Sequence, residues 1–298
     1  MIWEVDNLYS EYSIKSVNTH IVLSVWDAET PAGAIVFIPA TMVHPLFYES
    51  LLKGFSSRGF SVIGVHPVGH GKSPRNINRY TISDIVQNGR DAVSFALDRY
   101  SLPVIVMGSS QGGIVASAIA ATDTRIAAVF AHNLLLSELP DSIGVSRFPK
   151  WLRHVYGPVQ SIFKIFAKLV PDLQLPLGFY LEPKRISTDQ TIWDTVLSDE
   201  LNLSRYSLHF LASLFTTHFP GLTDGSVRCP FYVVADRGDQ LFTEDYMNQV
   251  FERLKAPYKE IILFDFGDHM LMVKHPQDVC DRLIEAMRKV SEHTCTKS

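Results

Sequence analysis

The stretch 104–118 restricts this chain's possible folds more than any other. A short apolar run, Val104, Ile105, Val106 and Met107, meets Gly108-Ser109-Ser110-Gln111-Gly112 and passes directly into the small helix-forming residues of 113–118. That order spells strand, sharp turn, helix. A serine at such a turn is held in a strained backbone conformation, so the positions two before and two after it must be nearly free of side chain. Gly108 and Gly112 fill those positions. The strain lifts the Ser110 hydroxyl clear of the sheet edge, while the helix beginning near Gln111 aims N–H groups and its positive dipole end at the same spot. The pattern is short enough to arise by chance. The rest of the chain must therefore supply alternating strands and helices before it, and an acid and then a histidine in loops after later strands.

The 298 residues are 46% hydrophobic and 19% charged, enough for a sizeable core in one large domain with or without an insertion. A net charge of −4, without a clustered run of lysine and arginine, supplies no electrostatic attraction for nucleic acid or anionic lipid. Residues 1–6 lack the basic start and apolar core of a signal peptide, and no apolar stretch approaches membrane-spanning length. Cys229, Cys280 and Cys295 are too few and too scattered for a disulfide framework. These features together predict reduced thiols, a cytoplasmic location and no stable membrane insertion. None of the cysteines sits at a strand-to-helix turn, which sets aside a cysteine nucleophile.

Residues 11–17 and 20–27 alternate as a hairpin joined around Asn18 and Thr19. The apolar run 34–38 suits a strand buried on both faces, a helix follows over 45–57, and 60–65 gives a further strand leading into a glycine-rich loop. Thr81 and Asp84 have the form of a capping box opening a helix that runs to Tyr100. After the serine turn, 125–131 is the next buried strand. From 134 to 227 the rhythm breaks into short helices with kinked connections, rich in large apolar residues and prolines. It returns with a strand over 229–235, a helix over 244–254, a strand over 260–264 and a helix from Pro276 to about Val290, after which the polar tail frays. This is the order of a mostly parallel sheet with helices on both faces.

Two later loops carry the required groups. Asp236, Arg237, Gly238 and Asp239 follow one predicted strand, and Asp265, Phe266, Gly267, Asp268 and His269 follow the next. In an open parallel sheet these loops share one edge with Ser110, and the chain order is Ser, Asp, His. His269 would take the Ser110 proton as general base and return it to the leaving group, with a buried carboxylate holding its tautomer. Asp239 is preferred for that carboxylate because Leu241 and Phe242 would anchor its loop, and Asp236 is the alternative. Asp265 and Asp268 read as surface or turn carboxylates.

The chain resembles the α/β-hydrolase superfamily, and within it the branch of serine esterases, lysophospholipases and monoglyceride lipases. The likeness rests on the 108–112 turn, Gly69-His70-Gly71-Lys72-Ser73, the Asp239 loop and Gly267-Asp268-His269. It implies the α/β-hydrolase fold, with residues 1–133 and 228–298 as the core and 134–227 as a helical cap insertion. It further implies Ser110 as nucleophile, Asp239 as acid and His269 as base, with no cofactor and no metal. Where the family usually carries His-Gly after its first core strand, this chain has Pro39, Ala40, Thr41 and Met42. By position the Thr41 N–H, or as the alternative that of Met42, would join the Gln111 N–H as the oxyanion pair.

Other residues receive plainer readings. His66 and His70 flank a glycine-rich loop without further acid or cysteine ligands nearby, so they read as turn residues and not a metal pair. Ile162, Phe163, Phe166, Leu169 and Val170 form a helical stripe with Lys164 and Lys168 opposite, expected to pack on the core, with docking on a membrane as the alternative. The reading overall is a cofactor-free serine hydrolase that cleaves a small-molecule, lipid-like carboxylic ester through an acyl-enzyme. Its alternatives are the same triad acting on a thioester, an amide or a carbon–carbon bond beside a carbonyl, and a non-catalytic ligand receptor on the same fold.

Overall fold

The computed structural model describes residues 9–77 and 79–295; the stretch 1–6 considered above lies outside them. The chain opens on an antiparallel hairpin, β1 (Tyr9–Ser16) and β2 (Thr19–Trp26). Its turn lies one residue earlier than the sequence suggests, because Thr19 already pairs with Ser16 and Val17 takes the left-handed conformation (φ 52°). Strand and helix then alternate: β3 (Gly33–Ile38), a 3-10 turn (Pro45–Tyr48) entering α1 (Glu49–Ser56), β4 (Phe60–His66), α2 (Ile82–Tyr100), β5 (Val104–Ser109), α3 (Gln111–Thr122) and β6 (Ala128–His132). The capping box of α2 is formed, the Thr81 hydroxyl accepting from the Asp84 N–H and the Asp84 carboxylate accepting from the Thr81 N–H at 2.7 Å. β6 starts at Ala128 instead of Arg125. The Asp123 carboxylate accepts from both the backbone N–H and the guanidinium of Arg125 and holds that stretch as a turn.

Between β6 and the next core strand come α4 (Tyr156–Leu169), β7 (Gln174–Pro176), α5 (Leu177–Tyr180), α6 (Pro183–Ile186), α7 (Gln190–Ser198), β8 (Arg205–Ser207), α8 (Leu208–Thr216) and α9 (Gly221–Asp224). The chain closes with β9 (Phe231–Asp236), α10 (Glu244–Arg253), β10 (Lys259–Phe264), α11 (Leu271–Lys274) and α12 (Pro276–Cys295), the last running five residues past its expected end. β7 and β8 pair antiparallel, a feature invisible in the sequence because three residues are too few for alternation to register. The apolar stripe on α4 also differs from expectation. Of the stripe, Phe163 is turned to α8 and the core beside Ala167, whereas Ile162, Phe166, Leu169 and Val170 are 55%, 56%, 72% and 45% exposed. A helix with a neighbour on one side buries a narrow strip, and residues four apart occupy it.

The eight-stranded sheet has the order β1-β2-β4-β3-β5-β6-β9-β10, parallel from β4 through β10. Successive side chains of β3 enter opposite cores. Val36 and Ile38 join Ile85 and Val93 of α2 and Val115 and Ile119 of α3. Ile35 and Phe37 join Leu51 and Phe55 of α1 and Leu283 and Met287 of α12. Fully burying a side chain of this size contributes about 1.5–3 kcal/mol. From β3 the chain steps to β4 on one side and returns through α2 to β5 on the other, which opens a crevice at the carboxyl ends of β3 and β5. No helix among the described residues is long and apolar enough to cross a membrane. Cys229 and Cys280 are free and buried, and burial pushes their thiols up to about 12 and about 11.

Among the buried histidines are His66 at the end of β4, His70 in the loop after it and His132 at the end of β6. Burial lowers them to about 3, about 4 and about 3. Free histidine titrates near about 6.5. Between those limits the unfolded chain binds protons that the folded chain refuses, so stability falls as the pH drops. Melting temperatures taken stepwise from about pH 7 to about pH 5 should therefore decline. A temperature that stays level across that window contradicts three buried neutral rings.

Candidate active site

The turn at Ser110 is built by close backbone approach. Ser110 takes φ 53° and ψ −115° between β5 and α3, a conformation costly for a residue with a side chain. A Cβ at Gly108 would stand 1.9 Å from the Gly112 carbonyl oxygen, and one at Gly112 would stand 2.1 Å from that of Ile38. Gly113 has a parallel role, since its Cβ would meet the Asn133 and His132 carbonyl oxygens at 2.4 and 2.5 Å. The first turn of α3 is thereby pressed between the ends of β3 and β6. The Ser110 N–H donates to the His132 carbonyl at 2.8 Å, and its own carbonyl accepts from the Gly113 N–H at 2.8 Å.

The loops after β9 and β10 pack just as closely, a Cβ at Gly238 falling 2.5 Å from Gly267 Cα. Asp236 ties them together. Its carboxylate accepts from the N–H groups of Gly238 (2.9 Å), Phe266 (2.7 Å), Gly267 (2.9 Å) and Asp268 (3.2 Å). Asp239 is turned the other way. Its Oδ1 accepts from the Leu241 and Phe242 N–H groups at 2.7 and 2.9 Å, and its Oδ2 lies 2.7 Å from His269 Nδ1. His269 Nε2 lies 3.1 Å from Ser110 Oγ. The chain Ser110, His269, Asp239 is thus continuous, while Asp236 has no hydrogen bond to His269 among the described residues. Asp268 accepts from the Met270 N–H at 2.8 Å, and Asp265 is solvent-exposed.

Side-chain exposure is 4% at His269 and 0% at Asp239. Burial works against the Asp239 carboxylate, but the charge and hydrogen bond of His269 and the Phe242 N–H outweigh it and hold the group below the usual carboxylate value. With Asp239 ionised, Nδ1 of His269 carries the proton and Nε2 presents its lone pair to the Ser110 hydroxyl. The Phe242 ring stacks on His269 at 5.8 Å and 10°, which fixes the ring plane.

Sequence reasoning missed Asn133. It sits just past β6 at φ 66°, and its Nδ2 donates to Asp239 Oδ2 at 3.0 Å and approaches His132 Nε2 at 3.1 Å. The signal for it was its place at the carboxyl edge of a core strand, where the absence of an acid drew attention away. His132, Asp239 and His269 are spaced as metal ligands are, their donor atoms within 4.8 Å of one another. Asp239 and His269 are already bonded to each other there. His66 and His70 also spend their ring nitrogens on the protein: Ser24 and the Lys72 N–H on His66, the Val68 carbonyl and Tyr206 on His70.

The Gln111 N–H opens α3 beside Ser110. Across the crevice, the Thr41 hydroxyl donates to Gln111 Oε1 at 3.3 Å. The Met42 N–H is occupied, donating to the Tyr206 hydroxyl at 2.8 Å. Ser110, His269, Thr41 and Met42 line a cavity of about 740 Å³ whose other wall comes from the segment between β6 and β9, including Leu177, Leu181, Ile186, Trp193 and Val196.

No match is found among curated protein sequences. Among solved structures, a monoacylglycerol lipase from Paleococcus ferrophilus superposes with a TM-score of 0.73 at 20% identity, over 91% of this chain and 99% of that one. A soluble variant of the Saccharomyces cerevisiae monoglyceride lipase, bound to a substrate analogue, gives 0.77 at 13% identity over 98% and 97%. A thermostable carboxyl esterase from Bacillus coagulans, bound to glycerol, gives 0.71 at 16% over 95% and 99%. At these identities the likeness speaks for the fold. The sequence itself is matched over residues 29–275 by the model of one family, described as serine aminopeptidase, S33 (Hydrolase_4), and to that family of α/β-hydrolases the chain belongs.

Proposed function

We propose that this chain is a serine hydrolase of carboxylic esters carrying an apolar acyl or alkyl group. The observation that carries the reading is the buried hydrogen-bonded chain from Asp239 through His269 to Ser110, ending at a large, mostly apolar cavity. In the mechanism, Ser110 Oγ attacks the ester carbonyl as His269 Nε2 takes its proton. The tetrahedral oxyanion is held by the N–H groups of Gln111 and Thr41. His269 then protonates the leaving alcohol, and a water activated by the same ring releases the acid from the acyl-enzyme. Asp239 stabilises the imidazolium each time it forms, and Asn133 keeps Asp239 in place. The segment 134–227 acts as the cap over the acyl group.

The family description raises a second reading, an aminopeptidase. A free α-amine is ordinarily anchored by a carboxylate. The cavity lining includes Lys184 and no aspartate or glutamate among the described residues, which favours the ester. The names of the similar structures, lipases and an esterase, run the same way.

The surface of the cap supports a substrate drawn from lipid. Between Asp141 and Asp172 the sequence has no acidic residue, yet it carries Arg147, Lys150, Arg153, Lys164 and Lys168. The same stretch presents Trp151, Ile162, Ile165, Phe166 and Leu169 to solvent and borders an apolar cavity of about 280 Å³. An exposed apolar face with basic flanks fits an anionic lipid interface, a local attraction that departs from the expectation drawn from the whole-chain charge of −4.

Three experiments test these points. A fluorophosphonate should label the wild-type chain and not Ser110→Ala, and p-nitrophenyl esters should be turned over where amino-acid p-nitroanilides are not; a folded wild-type chain that fails to label removes the central claim. Asp239→Asn should lower kcat by about 10⁴ while the protein stays folded. Asp236→Asn instead should lower stability by roughly 1–3 kcal/mol, since an amide cannot satisfy four N–H donors; the opposite assignment of effects would exchange the two roles. Finally, the chain should co-sediment with phosphatidylglycerol vesicles more than with phosphatidylcholine vesicles. Phe166→Glu with Leu169→Glu should abolish that difference without slowing p-nitrophenyl acetate hydrolysis.

A further inference from the structure

The turn after β3 poses a problem of its own. Met42 has φ 66°, the left-handed region that costs a residue with a Cβ free energy and that glycine adopts freely. Such a conformation persists where its surroundings over-determine it. Both polar groups of the Met42 backbone are held, and both by the segment between β6 and β9. Its carbonyl accepts from the Leu203 N–H at 2.8 Å, and its N–H donates to the Tyr206 hydroxyl at 2.8 Å.

Tyr206 is equipped for this. It is 1% exposed and lies in β8, where it pairs with Leu175 of β7. Its hydroxyl is also 2.7 Å from His70 Nε2, and His70 Nδ1 is 2.9 Å from the Val68 carbonyl. A carbonyl can only accept, so the His70 proton is on Nδ1 and Nε2 is a lone pair. The Tyr206 O–H then donates to His70, leaving its oxygen free to accept from Met42. Every donor and acceptor between Val68 and Met42 is matched in one direction. The rings of His70 and Phe210 pack on Tyr206 at 5.4 and 4.4 Å and fix the phenol.

We infer that Tyr206 is a positioning residue, which holds the Met42 turn in its left-handed shape and so keeps the preceding Thr41 N–H aimed at the oxyanion. The inference rests on the reading of Thr41 and Gln111 as the oxyanion donors. It also explains how this chain manages without glycine at the turn: a hydroxyl from the cap supplies the constraint that a Cβ resists.

The test is Tyr206→Phe, which keeps the ring and removes one oxygen. With the Met42 N–H unpaired, the Thr41 donor loses its aim. A donor removed outright costs 10²–10³ in kcat, so a loosened one should cost roughly ten- to a hundredfold on a p-nitrophenyl ester. KM should stay within about twofold, because the ground-state carbonyl gains little from the hole. Affinity for phenylboronic acid, which forms a tetrahedral adduct on Ser110, should fall by the same factor as kcat. His70→Asn keeps a donor for the Val68 carbonyl and leaves the Tyr206 O–H without an acceptor; it should move kcat in the same direction, and it carries the test if Tyr206→Phe does not fold. Variants that label with fluorophosphonate and keep wild-type kcat and boronate affinity overturn the inference and leave the Ser110 reading standing. A loss confined to KM also overturns it, making Tyr206 a substrate contact. A wild-type chain that fails to label sinks both.

Discussion

Everything in this site depends on how closely backbone meets backbone around Ser110. Contacts of 1.9 to 2.5 Å to an imagined Cβ at Gly108, Gly112 and Gly113 mean that α3 starts in direct contact with the ends of β3, β5 and β6. No side chain intervenes, so the position of the serine is set by the sheet itself and not by a flexible loop. The loops after β9 and β10 use the same device at Gly238 and Gly267. The hydrogen-bond distances along Ser110, His269 and Asp239 follow from these contacts, because side chains on rigidly spaced backbones have few rotamers left to choose.

That dependence explains what could be read from the sequence. Ser110 was legible because a strained turn restricts its neighbours to glycine, and such a restriction is written in five consecutive letters. His269 was legible through order and loop placement, which parallel sheets impose at long range. Asp239 was preferred to Asp236 in the sequence only for the apolar pair Leu241 and Phe242 that follows it, because their difference lies in hydrogen bonding: one carboxylate gathers four backbone N–H groups and the other two, leaving an oxygen for His269. Tyr206 left no mark, and Asn133 left only its place at the edge of a core strand. Their partners lie 164 and 106 residues away in sequence, and neither residue type is unusual for its local element.

The stripe on α4 shows a different limit. Periodicity tells which residues share a helix face and says nothing about what covers it. Phe163 found the core and Ile162, Phe166, Leu169 and Val170 did not, although all five belong to one apolar pattern. The two-stranded β7–β8 pair lies below the reach of periodicity altogether, yet it is the platform on which Tyr206 stands.

The bonds from Leu203 and Tyr206 to Met42 bear on modularity. Segments inserted between core strands of this fold are readily imagined as interchangeable covers. Here the segment between β6 and β9 completes the turn after β3, supplying both the donor and the acceptor for the Met42 backbone. Replacing that segment would leave the Met42 backbone without these partners and its φ of 66° unsupported; glycine at 42 would remove the Cβ strain and not the missing partners. In this chain the turn after β3 and the segment that holds it are fitted to each other, so a change in one bears on the other.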